Sequence, residues 1–87
     1  MTSFDLKAVT MSGVKFDGRV RKVIVRTTEG DVCILGSHTD YASPLGKGKA
    51  KIFTEDGGEI NAYAEGGFIS VRGDQTRIIA TKFEIEE

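Results

Sequence analysis

Apolar and polar residues alternate with a period of two along most of this chain. Phe4, Leu6 and Ala8 are separated by Asp5 and Lys7. Val23 and Val25 alternate with Lys22, Ile24 and Arg26. Ala50, Ile52 and Thr54 alternate with Lys51 and Phe53, and Ile60, Ala62 and Ala64 with Asn61 and Tyr63. Near the end, Ile79, Thr81, Phe83 and Ile85 alternate with Ala80, Lys82 and Glu84. Successive side chains of a strand point to opposite faces, so this pattern predicts strands with one buried face, those four late residues included. No segment repeats apolar residues at i, i+3, i+4 and i+7 over three turns, so no long helix is predicted.

Turn signals fall between the runs: Ser12-Gly13, Asp17-Gly18, Glu29-Gly30, Asp56-Gly57-Gly58, Gly66-Gly67 and Gly73-Asp74. Short strands at that spacing predict a sandwich or barrel, with residues 56–58 as the clearest hairpin. The single proline, Pro44, is read as part of a loop crossing between sheets. The resulting expectation is one all-β domain over residues 1–87, an antiparallel β-sandwich or flattened barrel of about ten short strands. Two of those strands are apolar on both faces, around Val20, Val23, Ile24 and Val25 and around Phe68, Ile69 and Val71. Either loops cover the second face, or an outer sheet face docks onto a partner, since exposed contiguous apolar patches mark interfaces.

Composition narrows the function classes. Lys and Arg number 12 against 13 Asp and Glu, a net charge of −1. That balance offers neither a nucleic-acid footprint nor a polybasic membrane patch. The one cysteine, Cys33, has no internal disulfide partner and suggests a reducing compartment. No apolar run reaches 18 residues, and the start lacks a basic flank with an apolar core, so a soluble chain without a signal peptide is expected.

Residues capable of chemistry do not converge. His38 is the only histidine, and Cys33 alone cannot complete a set of three or four metal ligands. Ser37 and Asp40 are near His38 in sequence, yet adjacent residues of a strand face opposite ways, so no nucleophile–base pair is read. Leu45-Gly46-Lys47-Gly48-Lys49-Ala50-Lys51-Ile52 lacks the spacing of a phosphate loop and leads into a strand; its lysines read as that strand's solvated side. Gly66-Gly67-Phe68 lacks the third glycine of a dinucleotide fingerprint. The expectation is a non-enzyme without cofactor or metal.

Five blocks in order carry a family resemblance. They are Phe4 to Thr10, Phe16 to Val23, Glu29 to His38, Leu45 to Ile52, and Gly66 to Val71. In order and spacing they resemble the amino-terminal domain of the epsilon subunit of bacterial F-type ATP synthases. Cys33 stands where that family has another small residue, and Gly36 where it usually has proline. The resemblance implies a β-sandwich in the rotor, joining the gamma subunit to the ring of c subunits, peripheral on the cytoplasmic face of the inner membrane and monomeric when isolated. The apolar excess along Val20 to Val25 and Tyr41, read as exposed, together with the place the resemblance gives gamma, predict a gamma contact through one sheet face and the His38 to Ser43 segment, with His38, Thr39, Tyr41 and Ser43 as its residues. The resemblance also implies a c-ring contact through the turn Glu29, Gly30 and Asp31. Most such subunits continue into an inhibitory helical hairpin where this sequence stops, at Glu87, so no ATP binding or inhibition is expected of this stretch. The competing reading is a small stand-alone β-barrel binding or adaptor protein, one that binds a ligand or modifies an enzyme.

Overall fold

The computed structural model describes residues 3–36 and 40–86. Those residues form seven strands: β1 (Phe4–Thr10), β2 (Gly13–Thr27), β3 (Gly30–Leu35), β4 (Tyr41–Pro44), β5 (Lys47–Thr54), β6 (Glu59–Arg72) and β7 (Gln75–Glu86). The hydrogen-bonded order is β1-β7-β6-β5-β2-β3, β1 pairs β2 as well, and β4 pairs β6. The β1–β2 pairing closes β1, β7, β6, β5 and β2 into a ring. The all-β sandwich expectation holds, with seven strands in place of about ten.

The count differs because β2, β6 and β7 are long, at 15, 14 and 12 residues, and each serves two layers. The first part of β2 pairs β1, and its second part pairs β5 and β3. The first part of β6 pairs β5, while its last residues pair β4. The start of β7 lies beside β1 in parallel, from Asp5↔Gln75 to Val9↔Ile79, the exception to an otherwise antiparallel sheet. The layer holding β1 and β4 and the layer holding β3 and β5 share one core. Leu6, Ile69 and Ile78 from the first and Val23, Val25, Ile34 and Ile52 from the second are all essentially inaccessible. Fully burying such a side chain stabilises by about 1.5–3 kcal/mol.

A change of inward-facing parity accompanies each crossing between layers. In β2 the buried residues run Val20, then Val23, Val25 and Thr27, and the register with β5 shifts between Val20 and Lys22. In β6 they run Ala62 and Ala64, then Ile69 and Val71. In β7 they run Thr76, Ile78 and Ala80, then Phe83. This corrects the simple alternation read near the end of the chain. Ile79 and Ile85 are 58% and 43% exposed and Thr81 is exposed, while Ile78, Ala80 and Phe83 point inward.

Two turn signals are not turns. Asp17-Gly18 lies inside β2, where Gly18 pairs Leu6; a Cβ there would be 3.5 Å from the Phe16 ring, which lies against the bare backbone. Gly66-Gly67 lies inside β6 at its crossing. The hairpin at residues 56–58 is a turn: Thr54 N–H donates to Gly58 O at 2.9 Å and Gly57 N–H to Thr54 O at 3.1 Å. Pro44 ends edge strand β4 rather than sitting in a loop, a place where its missing N–H leaves no ladder bond unmade. The crossing follows it, at Leu45-Gly46. At the far end, Arg19 ties three segments together, meeting Asp5 at 3.2 Å and Glu55 and Asp74 at 3.8 Å.

Candidate docking face and end turn

Residues directly opposite on paired strands share a face, so the registers read as rows across the β1/β4 layer. One row is Val14–Val9–Ile79–Phe68–Pro44, taken from β2, β1, β7, β6 and β4 in turn. All five are apolar and none is buried; Val14, Ile79 and Phe68 are 55%, 58% and 45% exposed. At about 4.8 Å between strands the row is about 19 Å long. The neighbouring row, Asp17–Lys7–Arg77–Ser70–Ala42, is polar over most of its length.

Local structure places each member of the apolar row. The β1–β2 register shifts between Ala8 and Val9, so Val9 faces Val14 rather than Lys15. That bulge turns Val14 to the outer side. Gly66 and Gly67, with φ of 66° and 99°, carry β6 over the crossing. A Cβ on Gly67 would collide with the carbonyl oxygen of Ile79 and lie 2.7 Å from Ala80 Cα. The glycine therefore permits the close approach that sets Phe68 outward opposite Ile79. Sequence reading noticed Phe68 but assigned Ile79 inward, and it missed Val9, Val14 and Pro44 as a group. Periodicity within one strand does not reveal which strands become neighbours.

The outer side of the other layer is mixed rather than apolar. Lys47, Lys49 and Lys51 are exposed along β5, as read from the sequence. They are flanked on β6 by Glu59 and Glu65, with Lys51 Nζ 3.6 Å from Glu59, and Lys22 Nζ lies 4.4 Å from the centre of the Phe53 ring.

The turn between β2 and β3 adjoins the Pro44 end of the apolar row. Thr28 N–H donates to Pro44 O at 3.2 Å, Gly46 N–H to Arg26 O at 3.0 Å, and Leu45 N–H to Gly67 O at 3.0 Å. Thr27 is buried and organises the turn, its Oγ1 donating to Gly30 O at 2.8 Å and accepting from Glu29 N–H at 3.1 Å. Gly30 takes φ 117°, a conformation open to glycine. Glu29 and Asp31 are both exposed but differ in company. Asp31 pairs across strands with Arg26, whose Nε lies 2.6 Å from its carboxylate. That hydrogen bond holds the Asp31 carboxyl below its usual range and raises Arg26. Glu29 takes part in no ion pair among the described residues. The two acids expected to act together are therefore unequal.

The other expected contact residues separate as well. His38 and Thr39 lie outside the described residues. Tyr41 is half-buried, packed against the core and paired with Val71, which corrects its reading as exposed. Ser43 is 4% exposed and its hydroxyl donates to Pro44 O at 3.2 Å, so it is turned into the protein while Pro44 faces out.

Comparison with known proteins matches residues 3–86 to a family described as ATP synthase, Delta/Epsilon chain, beta-sandwich domain. The ATP synthase epsilon chain of Brevibacillus brevis is 32% identical over 85 residues, covering 98% of this chain and 64% of the relative. That of Micrococcus luteus is 36% identical over 81 residues, covering 93% of this chain and 89% of the relative. A chain in the cryo-EM structure of the Euglena gracilis mitochondrial ATP synthase superposes with a TM-score of 0.90 at 20% identity, covering 98% of this chain and 54% of that one. The chain thus spans somewhat under two thirds of the length of the Brevibacillus relative.

Proposed function

Since this chain belongs to the β-sandwich domain family of ATP synthase delta and epsilon chains, we propose that it acts as a non-catalytic central-stalk part of the rotor of a proton-translocating F-type ATP synthase. In that role it joins the gamma shaft to the c ring on the cytoplasmic face of the bacterial inner membrane. The single observation that carries the reading is the exposed row Val14–Val9–Ile79–Phe68–Pro44. A five-strand apolar row with a polar row beside it suits a flat docking surface, and it offers no enclosed site for a small molecule. The contact with gamma centres on this row. Tyr41, packed against the core, starts the same edge strand, and His38 and Thr39 precede that strand.

The turn at Glu29, Gly30 and Asp31 supplies the second contact, toward the polar loops of the c ring. It adjoins the Pro44 end of the row, so shaft and ring meet the domain at one corner. Torque passing through that corner meets a closed ring of strands around a close-packed core, which resists shear.

The test is the affinity of the chain for purified gamma subunit. Replacing Phe68 and Ile79 together by Ser removes two anchors, each typically contributing about 2 kcal/mol when buried at an interface. The expected outcome is a loss of well over about tenfold, with circular dichroism still reporting strands. Unchanged affinity in the folded double variant rejects this face as the dock.

A further inference from the structure

The glycine-lysine run that opens β5 has a role in this fold, and it bears on the end turn. Arg26 lies on β2 beside β5. A Cβ on Gly48 would stand 3.0 Å from Arg26 Cβ and 3.2 Å from its Cγ, and one on Gly46 would stand 3.4 Å from that Cγ. The Arg26 stem thus rests on two bare backbone positions, Gly48 in β5 and Gly46 just before it. From that seat its guanidinium reaches Asp31, its direct cross-strand partner, at 2.6 Å. The backbone of Arg26 is held to the residue preceding that strand, its carbonyl accepting from Gly46 N–H.

We propose that Arg26, seated on Gly46 and Gly48, is a positioning residue that occupies Asp31 and leaves Glu29 as the turn's one uncompensated carboxylate, so that the turn fits a partner loop presenting a single cation. This rests on the stalk reading, in which that partner is the c ring. The geometry gives the turn two distinct parts. Asp31 and Arg26 form a locally neutral pair across two strands. Glu29 stands at the tip, its backbone fixed by the Thr27 hydroxyl and its carboxylate outside every ion pair among the described residues. A partner with two adjacent cations would have to open the Arg26–Asp31 pair; a partner with one meets Glu29 directly.

The experiment measures binding of the full chain to a gamma–c-ring complex and, separately, to gamma alone, at low and high salt. Glu29→Gln is expected to weaken the ring-dependent part about threefold to fivefold at low salt, the range of an exposed ion pair, and to flatten its salt dependence. Asp31→Asn is expected to change it by less than about twofold. The decisive outcome is a crossover. In an Arg26→Ala background Asp31 is freed, so Asp31→Asn becomes costly there and Glu29→Gln becomes mild, whereas Arg26→Lys keeps the original ranking. A merely structural role for Arg26 would weaken every variant alike. Carbon NMR of the Asp31 carboxyl checks the pairing itself, with its titration expected to move up to the ordinary aspartate range in Arg26→Ala. If Asp31→Asn costs as much as Glu29→Gln while Arg26 is present, or the crossover is missing in folded, gamma-binding variants, the inference is overturned alone. An unmodified chain that binds neither gamma nor the ring overturns the stalk reading and this inference with it.

Discussion

Gly67→Ala is the sharpest test of how the crossing between layers is built. Two separate penalties apply at that position. The first is conformational: Gly67 has φ 99°, where an L side chain is strained, at a cost of about 1–3 kcal/mol. The second is steric: the new Cβ meets the Ile79 carbonyl and lies 2.7 Å from Ala80 Cα. Both obstacles are backbone of the neighbouring strand, so relief requires β6 and β7 to separate where they are paired, a further cost of about 1–3 kcal/mol or more. The sum, about 2–6 kcal/mol, is a large fraction of the 4–13 kcal/mol expected of a domain this size at about 0.05–0.15 kcal/mol per residue. Gly13→Ala is the control, because Gly13 has φ 123° but nothing within 4 Å of a new Cβ. It isolates the conformational penalty. Urea unfolding of both variants gives the comparison, with the midpoint of Gly67→Ala expected well below that of Gly13→Ala. Each 1 kcal/mol lowers the melting temperature by about 4–8 °C in a domain of this size. Two variants within about 0.5 kcal/mol of each other would falsify the claim that close approach adds a second penalty to that of φ. If the variant does fold, its affinity for gamma is expected to fall too, since Phe68 depends on the same crossing.

Two further outcomes follow from buried and charged groups. Thr76 is 2% exposed and its Oγ1 has no hydrogen-bond partner among the described residues, so Thr76→Val is expected to raise stability by about 1 kcal/mol in the same urea assay, because a desolvated, unpaired hydroxyl costs about 1–3 kcal/mol; a loss of stability would show that the hydroxyl is satisfied. Asp31 and Asp56 are both held below the ordinary aspartate value of 3.8, Asp31 chiefly by the Arg26 hydrogen bond and Asp56 chiefly by the Thr54 hydroxyl. A depressed folded value means their contribution is fully present above the unfolded value and is lost as pH falls through the folded one. Acid titration of stability is therefore expected to steepen below about pH 4 and to become shallower in Asp31→Asn and Asp56→Asn; identical acid limbs in all three proteins would contradict it.

Much of the candidate site was legible in outline and not in detail. The apolar excess at Phe68 and the glycines before it are visible in one dimension, and so is the acidic turn at Glu29 and Asp31. The row that joins Phe68 to Ile79, Val9, Val14 and Pro44 is a property of five strands in register. The pairing of Arg26 with Asp31 depends on a two-strand register together with the glycine seat on a third strand. Tyr41 and Ser43 look alike as polar residues of an exposed segment, yet alternation along β4 and its pairing with β6 turn both toward the core.

The sequence by itself determined the class of this fold. Side-chain alternation is local, so β1 with Phe4, Leu6 and Ala8 inward, the Ala50 and Ile52 face of β5, and the hairpin at residues 56–58 follow from a few residues each. Only the tertiary structure decided where a strand continues through an apparent turn, as at Asp17-Gly18 and Gly66-Gly67, and where its inward parity changes. The physical reason is that parity is reset by bulges and by crossings between layers, and those form only when distant strands meet. Ile78 is buried and Ile79 exposed because β7 lies parallel to β1 there and turns over near Ala80. Nothing within a window of ten residues around Ile79 carries that information.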